Sequence, residues 1–551
     1  MNITGRMLRD AIISGANNIS NKKEAVNELN VFPVPDGDTG TNMSMTIGSS
    51  VAELNTLPDD VTVEKVASVA ASSLLRGARG NSGVILSLLF RGFQRELKGK
   101  AEMTADDIRA SLAKGVTSAY KAVMSPAEGT ILTVARVASE NASASDTDDA
   151  VELWDLIVSV SEETLLQTPE MLPVLKKAGV VDSGGQGLVY IFRGMQVVFD
   201  GGNPIEGEHI SEASSEHRSS RSSRNTAGMY HVEFTLTQND NANILKLQAF
   251  MDSCGSNVSV TGHDNTVKCA ADSSDPGKIL SEAIKHGFID NITVIPCDLS
   301  GTDTPNTDET SDTKENESGK ESASKYVSPD DSVPYGFVSV SSGDGLAQLF
   351  TDLGVDRVVS GGQTMNPSTD DILAAVQSIA AKNIFILANN KNIIMASEQA
   401  CALADRNAMV LPTRTIPQGI SAMLAFSPDE TVENNFINMK AAADNVATGQ
   451  VTFAARDSEI DGKPIRQGEI MGIMDGKLVS VEKSLEKATL KLAKKIIKKT
   501  TGFVTLICGA DVTQEQKTNV EDLIRSFLSS DTELSVIDGG QPVYYFYISA
   551  E

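Results

Sequence analysis

The chain has 551 residues, with 73 acidic against 47 basic side chains, a net charge of −26 and a pI near 4.7. That length calls for about three or four cores, and the acidity opposes binding to nucleic acid or to anionic membrane surfaces. Five scattered cysteines without Cys-x-x-Cys spacing fit a reducing cytosol. No run of about 18 apolar residues offers a stable membrane insertion, and the N-terminus lacks a signal-peptide core, so a cytoplasmic location is expected.

In chain order, apolar spacing predicts about eight helices: Met7 to Leu29, Thr41 to Leu54, Val63 to Leu75, Gly83 to Leu97, Ala105 to Val123, Thr130 to Ser139, Ala150 to Leu166 and Gly187 to Val198. With no strand-like run between them, residues 1–204 read as an all-α domain with short connections. Residues 205–228, rich in Ser and charge, read as a mobile linker. The pattern then changes to strand (His231 to Leu236), helix (Ile244 to Asp252), strands (Val258 to Gly262, Val267 to Ala271), helix (Lys278 to His286) and strand (Ile292 to Cys297). That is the order of a split βαβ, ferredoxin-like α+β unit over 229–299. An acidic stretch at 300–334, poor in large apolar residues, is expected to be disordered. Over 335–551, strands such as Phe337 to Val340, Arg357 to Val359, Ile384 to Leu387 and Met409 to Leu411 alternate with helices, which predicts a mainly parallel α/β domain. Near the end come a helix (Val481 to Lys499), a strand (Val504 to Cys508), another helix and the apolar strand Val543 to Ile548.

The chemistry concentrates in the loops of the first domain. Between Asn30 and Met43 the chain reads Asn-Val-Phe-Pro-Val-Pro-Asp-Gly-Asp-Thr-Gly-Thr-Asn-Met. Gly37 lets the carboxylates of Asp36 and Asp38 converge on one hard cation. Magnesium suits them, since one or two carboxylates plus substrate phosphates are its usual ligands. Thr39, Gly40, Thr41 and Asn42 open a helix, whose unpaired first N–H groups favour a phosphate. The same residues also make a good turn followed by an ordinary N-cap. A second loop, Arg76 to Gly83, places Gly80, Asn81, Ser82 and Gly83 before an apolar helix. A third runs from Asp182 through Gly184 to Gly187, and a fourth, Glu128-Gly129-Thr130, is a polar turn. Each alone could be a helix–helix connection. Four at helix starts are more glycine than a structural bundle requires.

No P-loop motif occurs, and nothing matches the catalytic motifs of protein kinases. Residues 1–208 contain neither histidine nor cysteine, which removes phosphohistidine relays and thiol nucleophiles from this domain. Direct in-line transfer from a metal-bound nucleotide remains.

These motifs carry a resemblance. Asn30 to Met43, with the later Gly-Ala-Arg-Gly-Asn-Ser-Gly and Asp-Ser-Gly-Gly-Gln-Gly, is similar to the DAK2, or DhaL-like, kinase domain related to the nucleotide-binding subunit of bacterial dihydroxyacetone kinase. Followed by Gly361-Gly362-Gln363-Thr364-Met365-Asn366-Pro367 and Asn389-Asn390-Lys391-Asn392, the chain resembles over nearly its whole length the catalytic subunit of bacterial fatty acid kinase, with a DegV-like C-terminal domain. The resemblance implies an eight-helix barrel holding ATP and two Mg2+ ions. Asp36 and Asp38 then act as catalytic metal ligands, and Asn30 stands nearest to a third, which is an aspartate in dihydroxyacetone kinases. Thr41, Asn42, Ser82 and Gly83 become phosphate contacts. The implied acceptor is the carboxylate of a fatty acid brought by a separate DegV-family carrier, the product an acyl phosphate for phospholipid synthesis, and the assembly a homodimer, with residues 335–551 docking the carrier or forming the dimer. A carboxylate is ionised at neutral pH and needs no general base, in keeping with a domain without histidine. Relatives carry a Cys and a His-x-His in the middle domain. Here His231, Ala270 and Asp272 take those places, so a conventional zinc site is not expected, although His231, Cys269, Asp272 and His263 offer other donors. A dihydroxyacetone-kinase-like enzyme for a small soluble substrate, or a non-catalytic nucleotide-sensing scaffold, are the other readings. The intact Asp36-Gly37-Asp38 favours an enzyme.

Overall fold

The computed structural model describes residues 1–30, 37–123, 125–207, 230–238, 247, 251, 256–261, 266–273, 276–296, 326–362, 365–454, 458–460 and 463–551. The chain forms two compact units, Met1–His209 together with Lys320–Glu551, and Ile210–Gly319. Among the described residues no helix is long and apolar enough to cross a membrane.

The N-terminal part of the first unit is helical: β1 (Ile3–Thr4), α1 (Gly5–Leu29), α2 (Thr39–Gly48), α3 (Val51–Asn55), α4 (Val63–Arg76), α5 (Gly80–Glu96), β2 (Glu102–Met103), α6 (Ala105–Ala122), α7 (Ile131–Ala144), α8 (Ala150–Met171), α9 (Pro173–Ala178) and α10 (Ser183–Phe199). Threonine side chains start α1, α4 and α6: Thr4, Thr62 and Thr104 each accept an N–H of the first turn, and Thr104 forms a capping box with Asp107. The expected helix from Thr41 to Leu54 is broken into α2 and α3. Ser49 Oγ donates to the carbonyls of Thr46 and Ser73, and Ser50 Oγ to that of Ile47, so hydroxyls take over carbonyls that a continuous helix would use. The helix expected to end at Leu166 continues as α8 to Met171 through Pro169. Proline has no N–H for the Leu165 carbonyl, and Thr168 Oγ1 donates to it instead at 2.7 Å. The antiparallel β1–β2 pair, Ile3 opposite Met103, is an addition to the expected helices.

The core of this part centres on Trp154, which is 1 % exposed. Its ring meets Phe192 and Phe199 edge-on, at centroid distances of 5.3 and 5.2 Å, and its Nε1 donates to the Phe192 carbonyl. Burial of the ring is thus combined with satisfaction of its one polar atom. Beyond α10 the chain stays tied to α1: Ile205 N–H donates to Ser14 Oγ, and Asn17 and Asn21 donate to the carbonyls of Ile205 and Glu206. The stretch expected to be a mobile linker from 205 therefore begins with anchored residues, and from 208 it lies outside the described residues.

The second unit contains β3 (Tyr230–Gln238), β4 (Ser256–Thr261), β5 (Thr266–Ser273), α11 (Pro276–Ala283) and β6 (Gly287–Pro296). Its antiparallel sheet has the order β4-β5-β3-β6. Val232, Phe234, Leu236, Cys269 and Ile279 build its core. Of the helix expected from Ile244 to Asp252, only Leu247 and Met251 are described, both buried.

The C-terminal part of the first unit has two sheets. Elements β7 (Asp330–Ser341), α12 (Asp344–Asp352), β8 (Arg357–Ser360), α13 (Thr369–Gln377), β9 (Ala381–Leu387), α14 (Ile394–Leu403) and β10 (Asn407–Leu411) give a parallel sheet in the order β10-β9-β7-β8. They are followed by α15 (Ile416–Leu424), α16 (Val432–Asn445), β11 (Ala447–Phe453), the hairpin β12 (Ser458–Ile460) and β13 (Lys463–Ile465), β14 (Ile470–Met474), β15 (Lys477–Glu482), α17 (Leu485–Ile496), β16 (Phe503–Cys508), α18 (Gln514–Arg525), β17 (Glu533–Asp538) and β18 (Tyr544–Ala550). The second sheet, β15-β14-β11-β18-β16-β17, is antiparallel except for β16–β17. Strand β7 starts inside the stretch 300–334 expected to be disordered. Val327 N–H donates to the Gln377 carbonyl, Tyr326 OH to Asp405, and Asp330 pairs with Ala381. The anchors are thus a phenol hydroxyl, a backbone N–H and a strand pairing, while the side chains of Tyr326, Val327 and Val333 stay exposed. Residues 300–325 lie outside the described set.

Candidate functional site

Four helix starts meet at one end of the helical part. Asp38 occupies the N-cap position of α2 with φ −116° and ψ 2°, and its side chain makes no capping bond. Capping is done by Asn27 in the last turn of α1. Its Oδ1 accepts the N–H groups of Gly40 (2.8 Å) and Thr41 (3.2 Å), and its Nδ2 donates to Thr41 Oγ1. The α2 amides expected to be unpaired at Gly40 and Thr41 are therefore taken, because a carboxamide oxygen satisfies two orphan donors at once. Asn30 Nδ2 donates to Thr39 Oγ1 at 3.0 Å. Asp36 lies outside the described residues.

Helix α5 begins beside α2. Gly80 has φ +58°, and a Cβ there would sit 2.7 Å from Asn42 Nδ2, so both backbone and space require glycine. Arg79 N–H donates to Thr46 Oγ1, which donates to the Asn42 carbonyl, joining the two helix starts. No side chain caps α5. Asn81 Oδ1 is buried with no hydrogen-bond partner among the described residues. Gly80, Asn81, Ser82 and Gly83 thus form an uncapped N-terminus next to Asp38 and Asn42, where the helix dipole favours an anion.

Helices α10 and α7 complete the row. Ser183 Oγ donates to Thr39 Oγ1 at 3.3 Å. Asp182 caps α10 by accepting the Gly185 N–H at 2.7 Å, and its carboxyl also accepts the N–H of Ile131 at the start of α7. Gly184 packs on Ile131. Thr130 Oγ1 donates to the Ala127 carbonyl. The loops containing Asp38 to Asn42, Gly80 to Gly83, Thr130 and Asp182 to Gly184 are brought together through these contacts. Asn27, Arg79, Ser183 and Asn366, to which sequence reasoning gave no individual role, provide much of the joinery.

Burial pushes the Asp182 carboxyl up to about 6, against the opposing pull of the Gly185 and Ile131 N–H groups. Part of the residue surface stays exposed, but the carboxyl itself is enclosed. Because the folded value lies above the ordinary 3.8, this group favours the fold at low pH, and that advantage is lost as pH rises from about 4 through 6. Asp182→Asn keeps the capping oxygen and removes the charge. It is expected to match wild type in stability near pH 3 and to exceed it at pH 7.5, by up to about 3 kcal/mol. Parallel pH profiles of the two proteins would contradict this.

Residues 33–197 match the DAK2 domain, 227–297 the FakA-like (fatty acid kinase) middle domain, and 336–551 the FakA-like C-terminal domain. Protein YloV of Bacillus subtilis is 38% identical over 575 residues, covering 100% of this chain and 99% of its own. The chain belongs to the FakA-like family of fatty acid kinase proteins. Among solved structures, a fatty-acid-binding DegV family protein from Thermus thermophilus is similar over 40% of this FakA-like chain and 100% of its own, with 12% identity and a TM-score of 0.31. The dihydroxyacetone kinase of C. freundii, in complex with AMP-PNP and Mg2+, is similar over 40% of this chain and 48% of its own, with 17% identity and a TM-score of 0.31.

The donors of this family member fit magnesium better than a softer ion. Asp38 and the orphaned Asn81 Oδ1 offer hard oxygen donors of the kind magnesium takes. Among the described residues no group of three or more His, Cys, Asp or Glu is gathered, whereas one or two carboxylates suffice when phosphates supply the remaining oxygens. In the second unit the register sets His231 opposite Asp272 across β3–β5. Burial pushes the Cys269 thiol up to about 11. His263 is outside the described residues.

Proposed function

We propose that the chain is an ATP-dependent kinase that phosphorylates the carboxylate of a fatty acid presented by a separate carrier protein of the DegV kind, yielding an acyl phosphate. The observation that carries this reading is the uncapped start of α5, with its orphaned Asn81 Oδ1, beside Asp38. Backbone N–H groups of Asn81 and Ser82 bind and orient phosphate oxygens at the positive end of the α5 dipole. Asp38, with Asp36, would hold magnesium, which when bound neutralises phosphate charge for in-line transfer. A carboxylate acceptor brings its own negative charge to the reaction, so the chain's part is positioning and charge compensation instead of proton abstraction. The helical part offers neither histidine nor cysteine for another route.

The test is acyl phosphate formation, trapped as hydroxamate, by the full chain with ATP, magnesium and oleate. Carrier-dependent hydroxamate is expected, with little in its absence. Measured ATP binding without hydroxamate, despite an authentic carrier, would point to another acceptor.

A further inference from the structure

The loop between β8 and α13 reaches the helical part at the start of α5. Arg79 and Ser368 form an antiparallel bridge, Thr369 N–H donates to the Ala78 carbonyl at 3.0 Å, and the Arg79 guanidinium donates to the Asn366 carbonyl at 2.7 Å while facing Asp371 at 3.5 Å. These bonds fix the backbone around Asn366. The Asn366 side chain, in a residue only 2 % exposed, then donates through Nδ2 to Asp38 Oδ2 at 2.6 Å and approaches Asn42 Oδ1 at 3.4 Å.

We propose that Asn366 is a positioning residue for the metal site, so that the C-terminal part of the chain completes the kinase centre. The inference rests on the assignment of Asp38 as a magnesium ligand. A carboxylate has two oxygens. With one held by a buried amide, the rotamer is set, and the carboxylate would meet a cation in a fixed orientation. The choice of side chain is informative, because a lysine or arginine would orient Asp38 equally well but would neutralise the charge that attracts the metal. A carboxamide orients without competing. The two polar groups are 328 residues apart in sequence, so metal affinity depends on the seating of the C-terminal part against the α4–α5 loop.

The experiment is a Mn2+ titration of the full chain in the presence of AMP-PNP, read as free Mn2+ by electron paramagnetic resonance. Asn366→Ala is expected to weaken Mn2+ binding about 10- to 100-fold, with nucleotide affinity in EDTA unchanged. In turnover it should need more Mg2+ for half-maximal rate and recover near-wild-type kcat at excess Mg2+. Unchanged Mn2+ affinity would overturn the inference. So would an equal loss of metal-free nucleotide binding, which is the signature of a merely loosened contact. A wild-type chain that binds no Mn2+ with nucleotide would overturn the kinase reading itself. If Asn366→Ala does not stay folded, Asn366→Ser carries the same expectations.

Discussion

Asp38→Ala is expected to lower carrier-dependent acyl phosphate formation about a thousandfold, roughly 4 kcal/mol of transition-state stabilisation, with a small effect on melting temperature. The asymmetry follows from the place of the side chain. Asp38 stands at the N-cap of α2 without capping it, since Asn27 accepts the Gly40 and Thr41 N–H groups. Truncation therefore removes no helix-starting bond. It removes a negative charge from the mouth of the phosphate site and leaves Asn366 Nδ2 with only the longer Asn42 contact. Excess magnesium should not restore the rate, because a ligand itself is gone. That distinguishes this variant from Asn366→Ala, where the ligand remains and only its orientation is lost. Hydroxamate yield at saturating and limiting magnesium, with a melting curve for each protein, makes the comparison. Wild-type transfer by Asp38→Ala would remove the metal assignment.

The helices were legible in the sequence because their signals are local. Thr4, Thr62 and Thr104 cap where the apolar period begins, and the loops at Asp38, Gly80, Thr130 and Asp182 announce themselves by glycine and carboxylate next to a helical run. Alternation of short apolar strands with helices likewise foretold the parallel sheet of β7 to β10. What was not legible is pairing at a distance. Asn27 is one more polar residue on α1 until α2 folds back on it, and Asn366 lies in a turn with no local hint of Asp38. The break after Gly48 escaped in part for a related reason: the Ser49 hydroxyl also bonds to the Ser73 carbonyl of α4, a partner that only the fold brings beside it. Strands β11 and β14 contain Gly449 and Gly472 under the α17 side chains, which weakens the alternation that would have marked them. Spacing also suggested free amides at Gly40 and Thr41, and only the fold shows which helix start keeps its own.

Gly40→Ala is expected to cost about 1–3 kcal/mol of stability and about a hundredfold in transfer, the rate loss arising without any change in a polar group. A Cβ at this position would overlap the Lys23 carbonyl oxygen and lie 2.9 Å from Lys23 C and from Val26 Cβ. The main chain of α1 cannot yield, because Leu8, Ile12 and Ile19 lock that helix into the core and it packs along α10. Helix α2 must move outward instead. That motion stretches both Asn27 capping bonds and carries Asp38 away from Asn366, while α5 stays fixed to the β8–α13 loop through Arg79 and Thr369. A displacement of about 1 Å between catalytic groups suffices for a loss of this size. Gly48→Ala is the control within the same helix. Nothing lies within 4 Å of a Cβ there, and the change should leave transfer intact and raise the melting temperature slightly. If the two alanine variants melt and turn over alike, close approach of α1 and α2 is not what sets the site.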